Sequence, residues 1–187
     1  ALTIGVFNAS EQPAGFSFEA LQQQALRVAS LSRQIIADSR RADDAYMAGM
    51  LHNIGKLVLA LRMPEPSRQA LALARQRQRP LWQMEQELLG VSHAEVGAYL
   101  LGLWGLPYPI IEAAAYHHQP RTAPPYEFDV LAAVHIANGL VGEILAEADG
   151  LPPGPLDSDY LATLGVLGKL EGWRALANTQ SAALDQE

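Results

Sequence analysis

The sequence predicts an all-α protein, seven to nine helices packed as a compact orthogonal array, not a simple bundle. Three observations carry that expectation. The stretch Asp43 to Leu61 places Met47, Met50, Leu51, Ile54, Leu57, Val58 and Leu61 at the i, i+3, i+4, i+7 spacing of a core-facing helix. Glycine and proline punctuate the chain at helix-length intervals, at Pro64, Pro80, Gly90, Gly105, Pro107 and Pro120 and through Gly150 to Pro155. No alternating strand pattern of useful length occurs between them.

Each element follows from local chemistry. Residues 1–9 are apolar and partly β-branched and read as the tail of a truncated helix, and Glu11 to Gly15 as a turn. Phe18 to Ala37 reads as a helix capped by Ser17, with a stripe at Leu21, Ala25, Val28, Leu31 and Ile35 and Gln24 beside it. The polar stretch Asp38 to Ala42 turns the chain, and Asp43 caps the central helix. On that helix Ala45, Gly49, His52 and Lys56 share a second face with Asn53 beside it, and the small residues would let another helix approach closely. Pro64 and Pro66 end it. Ser67 to Gln78 is a further helix, and Pro80 opens a short one over Leu81 to Leu89.

Gly90 terminates that helix, and Ser92-His93-Ala94-Glu95 is a capping box opening a helix over 93–103 that buries Val96, Leu100 and Trp104. Helices over 108–118 and Tyr126 to Ala148 follow, then two short ones near 157–164 and 166–177, with the last ten residues frayed. Residues 1–150 are expected to form a helical core truncated at its N-terminus, and 151–187 a helical extension packed on the same domain.

Composition narrows the function. There is no cysteine, which removes disulfides, thiol catalysis and cysteine-ligated metal. No run of about 18 apolar residues exists to span a membrane, and no signal peptide is visible. The expected location is the cytoplasm, and the chain is expected to be a fragment of a longer protein. The net charge of −7 is uneven. Residues 1–79 hold ten Lys/Arg against six Asp/Glu, and residues 80–187 three against fourteen. An acidic chain lacks the broad positive footprint of nonspecific nucleic-acid binding. A local exception, Arg62, Arg68, Arg75, Arg77 and Arg79, is either a solvated helix face or a docking surface for an acidic partner. No glycine-rich phosphate loop and no Ser/His/Asp arrangement stand out.

The motifs carry a resemblance. Leu51-His52-Asn53-Ile54-Gly55-Lys56 is similar to the LHDIGK segment of the HD superfamily of metal-dependent phosphohydrolases. Gln24 to Ala29 resembles the helix that supplies the first metal histidine in those enzymes. Glu87 to Leu106 resembles the loop and HxEVG helix of the HDOD domain (HD-related output domain), Ala115 to Pro120 its HHxP turn, and His135 to Asn138 the helix bearing the last HD aspartate. The chain looks most like the HDOD domain over residues 17–145, related also to the HD-GYP enzymes.

An HD metal site would need a histidine, a His-Asp pair and a distant aspartate. Carried over residue by residue, this chain offers Gln24, His52, Asn53 and Asn138, three of them neutral amides. Amides neither neutralise a dication nor help lower the pKa of a bound water. The expectation is therefore a vestigial crevice of Gln24, His52, Asn53, Lys56, His93, His117, His118 and Asn138, with no catalytic residue, metal or cofactor.

The histidines have plain structural alternatives. His93 at a helix start could equally lie on the surface. His117 and His118 at a helix end could satisfy terminal carbonyls, with at most one facing the crevice. Lys56 could snorkel, pair with an acid or meet a phosphate.

What the resemblance implies is a non-catalytic regulatory output domain of a bacterial two-component signalling protein, such as a response regulator. It would act through other domains of its chain, among them a receiver domain, and through an unidentified protein partner, without membrane or direct nucleic-acid binding. The alternatives are a divergent metal-dependent phosphohydrolase that uses the remaining histidines, and a binding module for a nucleotide or phosphorylated ligand.

Overall fold

The computed structural model describes residues 16–36 and 39–184. The readings made for residues 1–15, the Asp38 turn and the extreme C-terminus lie outside them. The side chain of Ser17 accepts from the Ala20 N–H and opens α1, Phe18–Ile35, which buries Ala25, Val28, Leu31 and Ile35 as the stripe predicts.

The central helix is where the structure departs most from the sequence reading. It begins at Ser39, so Asp43 is an internal position that pairs with Arg33, and it is broken in the middle. α2 runs Ser39–Leu51 and α3 Ile54–Arg62, with His52 and Asn53 in the turn between them. The cause is local. The Gly49 carbonyl, which a continuing helix would offer to the Asn53 N–H, is held by the His52 ring at 2.7 Å. The next backbone bond is a shortened one, Lys56 N–H to the Asn53 carbonyl at 3.0 Å.

The buried face also differs from the large apolar stripe. Met47 and Leu61 are 45% and 43% exposed, while Ala45, Ala48, His52, Asn53, Leu59 and Ala60 are buried. Small residues win because α2 lies against α1 at backbone distance. A Cβ added at Gly49 would fall 2.5 Å from the Ala29 Cα.

α4 (Pro64–Arg77) starts earlier than expected, with Pro64 in its first turn, where a missing N–H costs nothing. α5 is Leu81–Leu89, closed by Gly90 at φ 73°. α6, His93–Leu103, has the capping box of Ser92 and Glu95. It buries Ala94, Gly97, Ala98 and Leu101, whereas Trp104 is 57% exposed: Gly97 and its neighbours turn toward α3, which leaves Trp104 outside.

α7 ends at Tyr116 (Tyr108–Tyr116), and α8, capped by Asp129, spans Val130–Asp149. α9 is Ser158–Thr163 and α10 Leu170–Leu184, longer than predicted and carrying no fraying before residue 184. With two 3-10 turns, at Pro120–Thr122 and Leu167–Lys169, the described residues hold ten α-helices, more than the seven to nine expected, because the central helix divides. None is long and apolar enough to cross a membrane.

The core lies where α1, α2, α7 and α8 meet, around Val28, Leu31, Ala48, Ala114, Val134, Ile136 and Leu140. α10 closes one side. Arg27 reaches back from α1 to the Ser181 carbonyl at 3.0 Å, and Trp173 stacks on Phe128. The arginine face is laced with ion pairs: Arg68 with Glu65, and Arg77 and Arg79 with Glu87. That arrangement matches the solvated-face reading of those three arginines.

Candidate functional site

All eight crevice residues come together around the α2–α3 turn. α1 supplies Gln24, the turn His52 and Asn53, α3 Lys56, the start of α6 His93, the end of α7 His117 and His118, and α8 Asn138. Gln24, His52, Asn53 and Asn138, which the resemblance matches to HD metal ligands, form one polar chain. Asn53 donates from Nδ2 to Gln24 Oε1 at 3.3 Å, and Gln24 from Nε2 to Asn138 Oδ1 at 3.4 Å. The His52 Nε2 lies 3.2 Å from the same Asn138 oxygen.

The tautomer of His52 follows from its other nitrogen. A carbonyl only accepts, so the bond to Gly49 requires Nδ1–H and leaves Nε2 a bare acceptor. It therefore pairs with Asn138 when that amide presents Nδ2, a 180° turn that reverses the sense of the amide chain. Burial, chiefly, lowers the His52 pKa to about 3, so its ring is neutral.

Four imidazoles pack behind this chain. His52 meets His117 edge-on at 4.9 Å between ring centres, and His117 lies 4.0 Å from His118. His93 Nε2 sits 3.0 Å from His118 Nε2. The expectation that only one of His117 and His118 faces the crevice fails. His117 stands past the end of α7, and the chain is already turning there, so the two rings are not spread as on a continuing helix. His93 is 1% exposed, which removes its surface reading.

One ligand-type nitrogen from each of His93, His117 and His118 lies within 4.8 Å of the others. Burial is the main force lowering the pKa of all three, and the neighbouring imidazoles add to it for His117 and His118.

Two partners escaped the sequence reading. Glu85 is buried on α5, and its Oε2 accepts from the His93 backbone N–H at 2.8 Å and from His93 Nδ1 at 2.5 Å. Burial opposes its ionisation, but the His93 ring and backbone outweigh that and hold its carboxyl below the usual range. A signal existed: Glu85 falls on the apolar face of its helix, at i+3 from Trp82 and i+4 from Leu81. Trp82 itself stacks on His118 at 5.8 Å.

His135 stands apart from the cluster. Its Nδ1 donates to the His117 carbonyl at 2.8 Å and its Nε2 accepts from the Asp157 N–H at 3.0 Å, so it braces the α7 terminus. A pocket of ≈ 80 Å³ reaches His93 and His118 from outside, bordered by Gln24, Lys56, Trp82 and Asn138. A more apolar groove of ≈ 150 Å³ shares Gln24, Lys56 and Glu85 with it.

With this geometry in view, the HDOD domain family matches residues 1–120. The chain belongs to the HDOD domain family. An uncharacterized protein of Treponema pallidum (strain Nichols) is 33% identical to this HDOD domain over 95 residues, 51% of the chain and 18% of that protein. The domain thus spans less than a fifth of that curated relative's length.

Its fold is similar to solved structures of low identity. One is a Shewanella amazonensis SB2B protein provisionally assigned as a phosphohydrolase, with TM-score 0.65 and 23% identity, covering 90% of this chain and 62% of that one. An HDOD domain protein of unknown function from Geobacter sulfurreducens gives 0.57 and 21%, over 84% and 61%. The MmoQ response regulator of Methylococcus capsulatus str. Bath gives 0.61 and 24%, over 89% and 64%. These likenesses concern the fold.

Proposed function

We propose that this HDOD domain is a non-catalytic output module of a bacterial signal-transduction protein, acting through protein–protein contact in the cytoplasm. One observation carries the reading. The positions equivalent to the HD ligands hold Gln24, Asn53 and Asn138, which hydrogen-bond to one another and to neutral His52. This polar chain bears no charge, so it offers little to a hard dication or to a metal-bound hydroxide, although its Asn53 Oδ1 is buried without a hydrogen-bond partner.

A surface suited to contact lies elsewhere. Tyr99, Leu103, Trp104 and Tyr108 are all more than half exposed around the α6–α7 corner, and aromatic side chains are enriched at protein interfaces. A receiver domain elsewhere in the full-length protein is the input we favour. This rests on analogy with the response regulator that shares the fold.

The second reading, a divergent metal-dependent phosphohydrolase, draws on His93, His117 and His118. One experiment separates the two. The domain is assayed against nucleotides, cyclic dinucleotides and an aryl phosphate with Mg²⁺ and Mn²⁺. No turnover is expected. Turnover abolished by His93→Ala or His118→Ala would put the enzyme first.

A further inference from the structure

We propose that the groove between the first turns of α1 and the α3–α4 pair binds a medium-chain aliphatic carboxylate, its tail among leucines and its head at a rim formed by Arg68 and Arg75. This goes beyond the output-module reading and does not depend on it. The walls and rim of the groove are other side chains than the amide chain and the imidazoles.

Three observations converge. The first is an apolar gap between two packed bodies. α4 packs on α3 and α5, and its Ser67, Leu71 and Arg75, one helical turn apart, share a face that lines the groove opposite Leu21 of α1. Leu81 and Leu151 pack on the small cluster of Ala70, Ala74 and Met84, while the main core lies on the α1 side. The ≈ 150 Å³ between them is walled by Leu21, Leu59, Leu71, Leu81 and Leu151, with Ala20 and Ala60 where larger side chains would fill it. Four of the five leucines are only half-buried, so the groove keeps apolar surface in water that an aliphatic chain would cover.

The second is the order of charge along the groove. At its buried end the Glu85 carboxylate is committed to the His93 N–H and ring, and Lys56, which lines the same groove, carries the opposite charge. At its exposed end Arg68 and Arg75 flank Leu71. Arg68 holds Glu65 in a surface ion pair, which is worth little and yields readily to another anion. The groove therefore has a charge-balanced depth and a cationic rim, in a chain whose net charge is −7. A neutral apolar ligand leaves the rim unused, and a small anion leaves the leucines wet. A ligand with an aliphatic tail and one anionic head uses both.

The third is an unmet donor. The Ser67 hydroxyl is buried without a hydrogen-bond partner, on a residue that lines the groove. Such a group is costly, and a carboxylate oxygen would accept from it. Ser67 and Arg68 are neighbours on α4, so one head group can take the hydroxyl and the guanidinium together. A planar carboxylate also suits arginine, which pairs it through two parallel hydrogen bonds.

The test titrates the chain by calorimetry with hexanoate, octanoate and decanoate, each below its micelle concentration, beside octanol, acetate and inorganic phosphate. We expect one ligand per chain and an affinity that rises about three- to fourfold with each added methylene until the groove is filled. Octanoate should bind at least about tenfold more tightly than octanol. The exposed double variant Arg68→Gln, Arg75→Gln should erase that difference and leave octanol binding unchanged. Leucine methyl NMR of the wild type gives a readout independent of any variant's folding. Octanoate should move Leu21, Leu59 and Leu71 and leave Leu103 in place. The absence of saturable binding would overturn the site. Octanol as tight as octanoate would remove the role of the rim, and acetate or phosphate as tight as octanoate would remove that of the leucines. Methyl shifts centred on Leu103 would place the ligand at the α6–α7 corner instead.

Discussion

A Cβ added to Gly55 would fall 1.9 Å from the His93 carbonyl oxygen and 2.7 Å from the Gly97 backbone nitrogen. The backbones of α3 and α6 therefore touch here, and this contact brings His93 within reach of the α2–α3 turn. Gly55→Ala should destabilise the fold by about 3 kcal/mol, the upper range for overpacking, because backbone and not a side chain must yield. Gly102 is the control. It is helical with open space around it, and Gly102→Ala should be neutral or stabilising by up to about 1 kcal/mol in urea denaturation. Equal effects of the two changes would refute the close contact.

At Gly49 the added atom meets the Ala29 Cα at 2.5 Å. Gly49→Leu is expected to cost roughly 1–3 kcal/mol, and Gly49→Ala to lie in the same range, since the obstruction begins at Cβ. A denaturant melt showing no loss would place α1 and α2 further apart than described.

Glu85 supports His93 with two hydrogen bonds from a buried position. Glu85→Ala strands both donors and should destabilise by about 2–5 kcal/mol. Glu85→Gln keeps an acceptor oxygen and should cost less. If the two variants melt alike, the carboxylate is not what holds His93.

Acid lability follows from the buried imidazoles. The His52 pKa is about 3 in the folded state against an ordinary 6.5, and burial lowers that of His135 as well. The unfolded chain takes up the proton first. The stabilising contribution is therefore complete above pH 6.5 and is lost as pH falls toward the folded pKa. In that window His52 costs about 1.4 kcal/mol per pH unit and so removes about 2 kcal/mol by pH 5, and His135 acts in the same direction. Urea midpoints of chelator-treated protein from pH 8 to pH 5 measure this. A flat profile below pH 6.5 would mean the rings are solvated.

The triple variant Gln24→His, Asn53→Asp, Asn138→Asp places an imidazole and two carboxylates in the polar chain beside His52. It should bind Mn²⁺ more tightly than the wild type, seen by calorimetry. Phosphodiesterase activity should stay absent. Hydrolysis needs a hydroxide in line with the leaving oxygen, and the surrounding shell supports amides that bond to each other. Turnover by the triple variant would show that this shell is still in register for catalysis.

Much of the architecture was legible along the chain because its causes are local. Ser17, Ser92 with Glu95, and Gly90 mark helix ends by chemistry that acts within four residues, and each lies where expected. The α1 stripe is local in the same sense. The family, too, was readable, since LHNIGK, HAEVG and HHQP are contiguous strings. That Gln24, Asn53 and Asn138 are amides needs no structure at all.

Tertiary contact decided the rest. Met47 and Trp104 have the right period for the core and yet face outward, because Gly49, Gly55 and Gly97 let backbones meet and turn their helices onto small faces. The break at His52 and Asn53 depends on a side chain taking the Gly49 carbonyl from the helix, a choice between two acceptable partners that no propensity resolves. Glu85 and His93 are eight residues apart on different helices, and His117 and His118 join them from a third. Sequence determined which imidazoles and amides exist. Only packing determined that one His117 nitrogen is buried with no donor beside it, because an unmet hydrogen bond is set by everything that surrounds the atom.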